Sequence, residues 1–529
     1  MMFTVLCIVG VSTARVCFAA PPTITGLFPA GGQRGTTVEV TATGTFDTWP
    51  THVWASDKAV SVQAGKTKGA WAVTVGADAA PGTCWVRAYD DSGASQLRPF
   101  VIGTLPEVLE IEPNDTPANP QSVTLPAVVN GKLGKTGDVD CFAVTLKKGA
   151  TLVASVEANH TLRSPMDGIL QITSPDGTVL EQNHDHRGLD PQVVFTAPMG
   201  GSFLVRLFAF PSQPDSSIRH FGSEACVYRL MLTTGGVVDF VTPLAVERGR
   251  EATLTYHGWN LREKQSSLPG SDVQVFPKWS ATGGQVRREP HPCYDFTTSK
   301  SDGPLTPPFT VSGRLNQTGE PSAVSIIGVK GKPLAIRLDA ASLGLPLTPV
   351  LRIVETTKKQ LAKVEPASLN GDLETTFTPP ADGVYHFQVS DLYANSGPRF
   401  VYRLRVVAVG PSFEPTVTTD RLTITAGQPL DVPVTVGPKD GFAGELDWSI
   451  DGLPDAVTFR LAPPAGKPNP NVATLRFESK MTGFNGPIRV TATPKVNPKT
   501  PYTVSAKLTG FDTTTTDFWL TVVASATKK

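Results

Sequence analysis

The chain has 529 residues, enough for three to five domains at roughly 100 to 200 residues each. Its 48 Gly and 47 Pro, against 18% charged and 40% hydrophobic residues, favour turns over long helices and predict an all-β chain of several modules. Lys plus Arg equals Asp plus Glu at 47 each, so no global field gathers nucleic acid or anionic lipid, and nucleic acid is excluded as a partner.

At the start, MMFTVLCIVGVSTARVCFAAPP carries an apolar run from Phe3 to Val11 followed by small residues. That is the length of a signal-peptide core and too short to span a bilayer, so residues 1–20 are read as a leader, although no Lys or Arg precedes the run. No later stretch reaches about 18 uncharged apolar residues, so no membrane span is expected. The expected location is secreted, periplasmic or on the cell surface.

Region 21–105 opens with FPAGGQRGTTVEVTATG, in which Val38, Val40 and Ala42 alternate with polar residues as in a half-buried strand. Pro29, Arg34, Gly35, Val40 and Gly44 return as Pro243, Arg248, Gly249, Leu254 and Gly258 at a constant offset of 214. Each copy reads as the opening of an immunoglobulin-like sandwich. Four of the eight tryptophans lie in the first region; Trp49 and Trp54 are candidate ligand contacts, with core packing as the commoner use of such rings.

Region 106–235 contains VNGKLGKTGDVDCFAVTLKKG, which lines up at an offset of 182 with VSGRLNQTGEPSAVSIIGVKG of region 308–410. The same offset relates FTAPMGGSF to FTPPADGVY, and the closing Val227 to Leu230 matches Val401 to Leu404 at 174. A two-part unit has been duplicated, giving 21–105, 106–235, 236–307 and 308–410. The unrepeated remainder, 411–529, holds short alternating runs such as RLTITAG and DFWLTVV between Gly, Pro and Asp turns, the pattern of a fifth β-sandwich.

The first copy resembles the bacterial pre-peptidase C-terminal domain, a small jelly-roll sandwich of secreted proteins. The resemblance rests on EIEPND (Glu110 to Asp115), GDVDCF (Gly137 to Phe142), the SPDG turn, G-x-F-x-V at Gly201 to Val205 and Tyr228-x-Leu230, in the family's order. The second copy keeps the strands, lacks an EPND segment and has Ser322 in the place of Asp140. Regions 21–105 and 236–307 look more loosely like IPT/TIG-type immunoglobulin-like domains.

Alternation along an extended segment puts Glu110, Glu112 and Asn114 on one side, and does the same for Asp138 and Asp140. Ca²⁺ takes six to eight oxygen ligands at about 2.3 to 2.6 Å, so two acidic segments that meet could supply most of a shell. The resemblance implies the same, since relatives in bacterial collagenases bind calcium through such a linker. The candidate ligands are Glu110, Glu112, Asn114, Asp115, Asp138 and Asp140; the bland alternative is a Pro-Asn-Asp turn with solvated carboxylates.

Cys7 and Cys17 fall in the leader, and Cys84, Cys141, Cys226 and Cys293 have no metal-binding spacing. Ala323 and Phe400 replace Cys141 and Cys226 in the second copy, and this joint loss predicts a Cys141–Cys226 disulfide rather than two buried thiols. His184 and His186 in NHDHRGLD are the histidines most like metal ligands, yet no third ligand stands at a zinc spacing. No H-E-x-x-H, nucleophile elbow, P-loop or dinucleotide fingerprint occurs, and the five modules leave no room for a peptidase domain. The expectation is an exported non-catalytic binding or scaffold protein that presents loops to an extracellular or envelope polymer or protein. The alternative is a secreted hydrolase or peptidase-associated fragment with a metal at His184 and His186.

Overall fold

The computed structural model describes residues 20–525, apart from 214, 215, 217, 218, 271–273, 300–302, 369, 370, 464–468, 470, 481, 497–499 and 512. The expected leader, with Cys7 and Cys17, lies outside the described residues save for Ala20. Strands carry almost all regular structure: the helical elements among the described residues are the turns Asn159–Leu162 and Ala341–Leu343.

The first pair of sheets sets Gly26–Phe28, Thr37–Thr43, Ala70–Val75 and Val60–Ala64 against Gly31–Gln33, Arg98–Gly103, Gly82–Asp90 and His52–Ala55. Alternation decides which side chains enter: along Thr37–Thr43, Val40 and Ala42 are buried and Thr41 and Thr43 exposed. They pack with Trp71, Val73, Val86 and Phe100. The Arg-Gly turn of each copy needs a left-handed backbone, with φ of 80° at Gly35 and 78° at Gly249, which a residue without Cβ adopts freely.

Two five-stranded sheets follow. One runs Glu107–Leu109, Ala127–Lys132, Val227–Thr233, Thr151–Glu157, Gln192–Thr196; the other runs Gln121–Ser122, Asp140–Leu146, Gly201–Pro211, Met166–Thr173, Val179–Asn183. The second copy repeats the order with Cys293–Phe296, Phe309–Arg314, Val401–Ala408, Leu334–Asp339, Leu373–Phe377 facing Ser322–Gly328, Gly383–Asp391, Pro349–Glu355, Gln360–Val364. Register is kept as well: Phe142 pairs with Val205 and Val324 with Phe387, while Val129 pairs with Leu230 and Val311 with Leu404. Strand Cys293–Phe296, from the region assigned to 236–307, belongs to this later sheet, because Tyr294 and Phe296 pack on its core.

Between the two copies, Val237–Thr242, Ala252–Trp259 and Gln265–Leu268 form a three-stranded sheet, with Ala245–Glu247 pairing Arg287–Glu289 beside it. Their core is small, built on Val238, Val241, Leu254, Tyr256 and Val286. The last strands form a six-stranded and a five-stranded sheet closed over Ile424, Leu475, Phe477 and Leu520. This final sandwich touches the first. Arg87 Nη2 lies 2.6 Å from Asp420 Oδ2, Trp85 meets Phe511 edge-on at 5.1 Å, and Tyr89 lies 4.6 Å from Trp519.

Candidate cation site at the first jelly roll

Asp138, Asp140 and Phe142 share one parity, so the strand that sends Phe142 into the core also turns Asp140 inward at its edge. Tyr228 enters from the facing sheet. Its hydroxyl lies 2.6 Å from Asp140 Oδ2 and 3.0 Å from Glu110 Oε2, which also accepts from the Lys132 backbone N–H at 2.8 Å. Room for that ring comes from Gly131, its register partner, where a Cβ would stand 2.2 Å from the Tyr228 hydroxyl.

The EIEPND linker lies across this edge and is tied to it by Cys141 N–H donating to Asn114 O at 3.1 Å. Oxygens of Glu112, Asp138 and Asp140 come within 4.8 Å of one another, the one such acidic or thiol cluster among the described residues. Glu112 stands at the open side, while Asn114, Asp138 and Asp140 are at most 1% exposed. One Asp138 oxygen accepts from the Gly134 N–H at 2.6 Å. The other, with Asn114 Oδ1, Asp115 Oδ1 and Asp140 Oδ1, is buried without a hydrogen-bond donor. Lys135 Nζ reaches only to 3.6 Å from Asp115 and 3.8 Å from Asp138, on a side chain that is 65% exposed.

Burial pushes the Glu110 carboxyl up to about 7 and that of Asp140 to about 9, with neighbouring carboxylates adding to both. Burial likewise raises Asp138. Buried acceptors without donors are costly, and a hard divalent cation removes that cost by taking several oxygens at once. The donor set, all oxygen, fits Ca²⁺ or Mg²⁺ rather than a soft metal. Of the predicted ligands, Glu112, Asp138 and Asp140 converge, Asn114 and Asp115 offer unpartnered oxygens beside them, and Glu110 is held at the rim by Tyr228. Sequence reasoning used Tyr228 only as part of a closing strand. Its signal was present: Tyr402 and Gly313 repeat the Tyr–Gly pair, with Tyr402 donating to Ser322 Oγ at 2.8 Å.

The other predicted site residues lie apart from this cluster. The Cys141–Cys226 disulfide is corrected: Cys84, Cys141, Cys226 and Cys293 are all free. Cys226 points into the core, whereas Cys141 is out of phase with Phe142 and faces the other way, toward Arg206. Trp49 packs edge-on against Phe46 and donates to Gly65 O at 2.9 Å, and Trp54 lies 6.1 Å from Trp519 at the contact with the last sandwich. His184 and His186 diverge because their loop is bent rather than extended. His184 pairs with Asp185 at 3.0 Å in solvent, while His186 turns to Asp239 at 3.7 Å and Trp259.

The arrangement defines a protein of tandem β-sandwiches with an acidic linker site. No protein-family model matches the chain. A stretch of 103 residues, 18% of the chain, is 30% identical to a probable subtilase-type serine protease of Deinococcus radiodurans, of which it spans 14%. Among solved structures, the Salmonella alpha-2-macroglobulin reacted with methylamine is similar over 98% of this chain and 48% of that one, at 10% identity and a TM-score of 0.14. The Escherichia coli alpha-2-macroglobulin activated by porcine elastase is similar over 92% and 53%, at 11% identity and a TM-score of 0.14. The chain thus spans about half the length of these two macroglobulins, and likenesses this loose carry no mechanism. No helix among the described residues is long and apolar enough to cross a membrane.

Proposed function

We propose that this chain is an exported, non-catalytic binding or scaffold protein, a row of β-sandwiches whose junction at residues 106–140 is stiffened by Ca²⁺. The observation that carries the reading is the set of buried, donorless oxygens on Asn114, Asp115, Asp138 and Asp140. Glu112, Asp138 and Asp140 would hold the ion, with Asn114 and Asp115 completing the protein's share. The motif order shared with pre-peptidase C-terminal domains supports the same assignment. Bound there, the cation would neutralise charge and tie the linker to the jelly roll; the chemistry is structural. The loose resemblance of 21–105 and 236–307 to IPT/TIG modules agrees with a role in presenting surfaces to an envelope or extracellular partner. Proteolysis is not carried over from the subtilase-type relative, whose matched share is small.

Calcium binding to the folded state alone adds RT ln(1 + [Ca²⁺]/Kd), about 2.7 kcal/mol at a hundredfold excess over Kd. Thermal unfolding of the full chain in EDTA and in millimolar Ca²⁺ should therefore differ, and Asp138→Asn should abolish the difference. An unfolding transition that EDTA leaves in place rejects the calcium reading.

A further inference from the structure

A cleft of about 900 Å³ opens between the small middle sandwich and the second jelly roll, lined by Arg248, Arg287, Arg288, Arg337 and Arg403. Among the described residues no Asp or Glu side chain lines it. Three carboxylates pair with these arginines, Asp339, Glu289 and Asp372, the last 3.8 Å from Arg337. Asp339, 2% exposed, receives Arg337 at 2.5 Å on one oxygen and Arg403 at 2.6 Å on the other. Glu289, 3% exposed, receives Arg287 at 2.8 Å and Arg405 at 3.6 Å. Arg288 is held by the backbone carbonyls of Arg250, at 2.8 Å, and Pro269. Arg248 is exposed and makes no ion pair among the described residues.

Four of the five guanidinium groups are therefore fixed in place before any ligand arrives, the exposed Arg248 being the exception, and among the described residues the five arginines outnumber the three carboxylates paired with them. Guanidinium stays protonated at any physiological pH, and its planar fork matches carboxylate oxygens two at a time. The volume lies in the range of sites for sizeable ligands, about 300 to 1,000 Å³, and is far more than one inorganic anion fills. Among the described residues no aromatic ring lines the cleft, whereas nucleic-acid bases and sugar rings are commonly gripped by stacking on such rings. Its apolar walls are the aliphatic side chains of Val286 and Leu343, beside Gly270 and Ser342, surfaces suited to a peptide backbone and methylene stems. We propose that this cleft binds an acidic peptide segment, a run of Asp or Glu side chains presented by a partner protein. The proposal does not depend on the cation site.

The test uses the full chain in EDTA, so that failure here is separate from failure of the calcium reading. Fluorescence anisotropy of labelled octaglutamate should show saturable binding, at least about tenfold tighter than octaglutamine and weakened by salt. Arg248→Gln with Arg287→Gln should weaken it at least about tenfold. Arg248→Glu alone, at an exposed side chain with no ion pair among the described residues, should do the same in a protein whose melting is unchanged. Absent saturation, or equal affinity in Arg248→Glu, overturns the proposal. So does tenfold tighter binding of an oligothymidylate or oligogalacturonate of matched charge, which would assign the cleft to nucleic acid or to acidic polysaccharide.

Discussion

Tyr228 and Asp140 face each other across the first jelly roll at 2.6 Å, one from each sheet, and the equivalent pair in the second jelly roll is Tyr402 and Ser322 at 2.8 Å. The fold is the same and the charge is not. One copy keeps a buried carboxylate whose neighbours are also acids; the other has a hydroxyl that satisfies the tyrosine with no charge to stabilise.

The first prediction converts one copy into the other. Asp140→Ser should abolish the calcium-dependent rise in melting temperature. In EDTA it should melt no lower than the wild type, since the carboxylate it removes is disfavoured by burial. Calorimetry with and without chelator checks both halves, and a variant that melts lower than wild type in EDTA would contradict the account.

A second prediction concerns the contact between the first and last sandwiches. Arg87 is 1% exposed, pairs with Asp420, and lies over Trp54 at 5.9 Å and Trp519 at 5.5 Å. Removing one member of a buried pair costs about 3–5 kcal/mol, whereas replacing both with apolar residues of similar volume is often close to neutral. Arg87→Met should lower stability by that order, and Arg87→Met with Asp420→Leu should regain most of it in urea unfolding.

The third prediction is the acid limb of stability. Burial alone would raise Asp339, but the hydrogen bond from Arg337 and the charges of Arg403 and Arg337 outweigh it and hold the carboxyl below the ordinary value of about 3.9. A depressed folded pKa contributes stability that is present above the unfolded value, here above about pH 4, and is lost as pH falls through the folded one. Asp339→Asn should therefore be destabilised by about 3–5 kcal/mol near neutrality, with the gap from wild type closing below about pH 4. Denaturant unfolding across that range gives the comparison; a gap independent of pH would remove Asp339 from the account.

Much of this was legible in the chain because it is periodic or repeated. Alternation in Thr37–Thr43 told inward from outward residues, and the offset of 182 carried strand order and register from one jelly roll to the other. The same alternation, applied one residue at a time, contained the correction to the disulfide: Phe142, Val144 and Leu146 take the core face, so Cys141 cannot. Joint loss of two cysteines was a weaker signal than parity. The acids of the cation site were visible as residue types, but the tyrosine between them arrives from a strand 88 positions away. The arginine cleft and the Trp54 contact were not legible, since both join modules by packing that no local pattern encodes. The two histidines failed for a local reason, as an H-x-H pair shares a face only when its backbone is extended.

The pairing of the first sandwich with the last also changes how the row of modules responds to a pull. Units strung on linkers yield one joint after another, whereas a row whose ends are clasped behaves as a loop. Tension then falls first on the clasp, where Arg87, Asp420, Trp85 and Phe511 meet, and the intervening hinges share the load only after it opens.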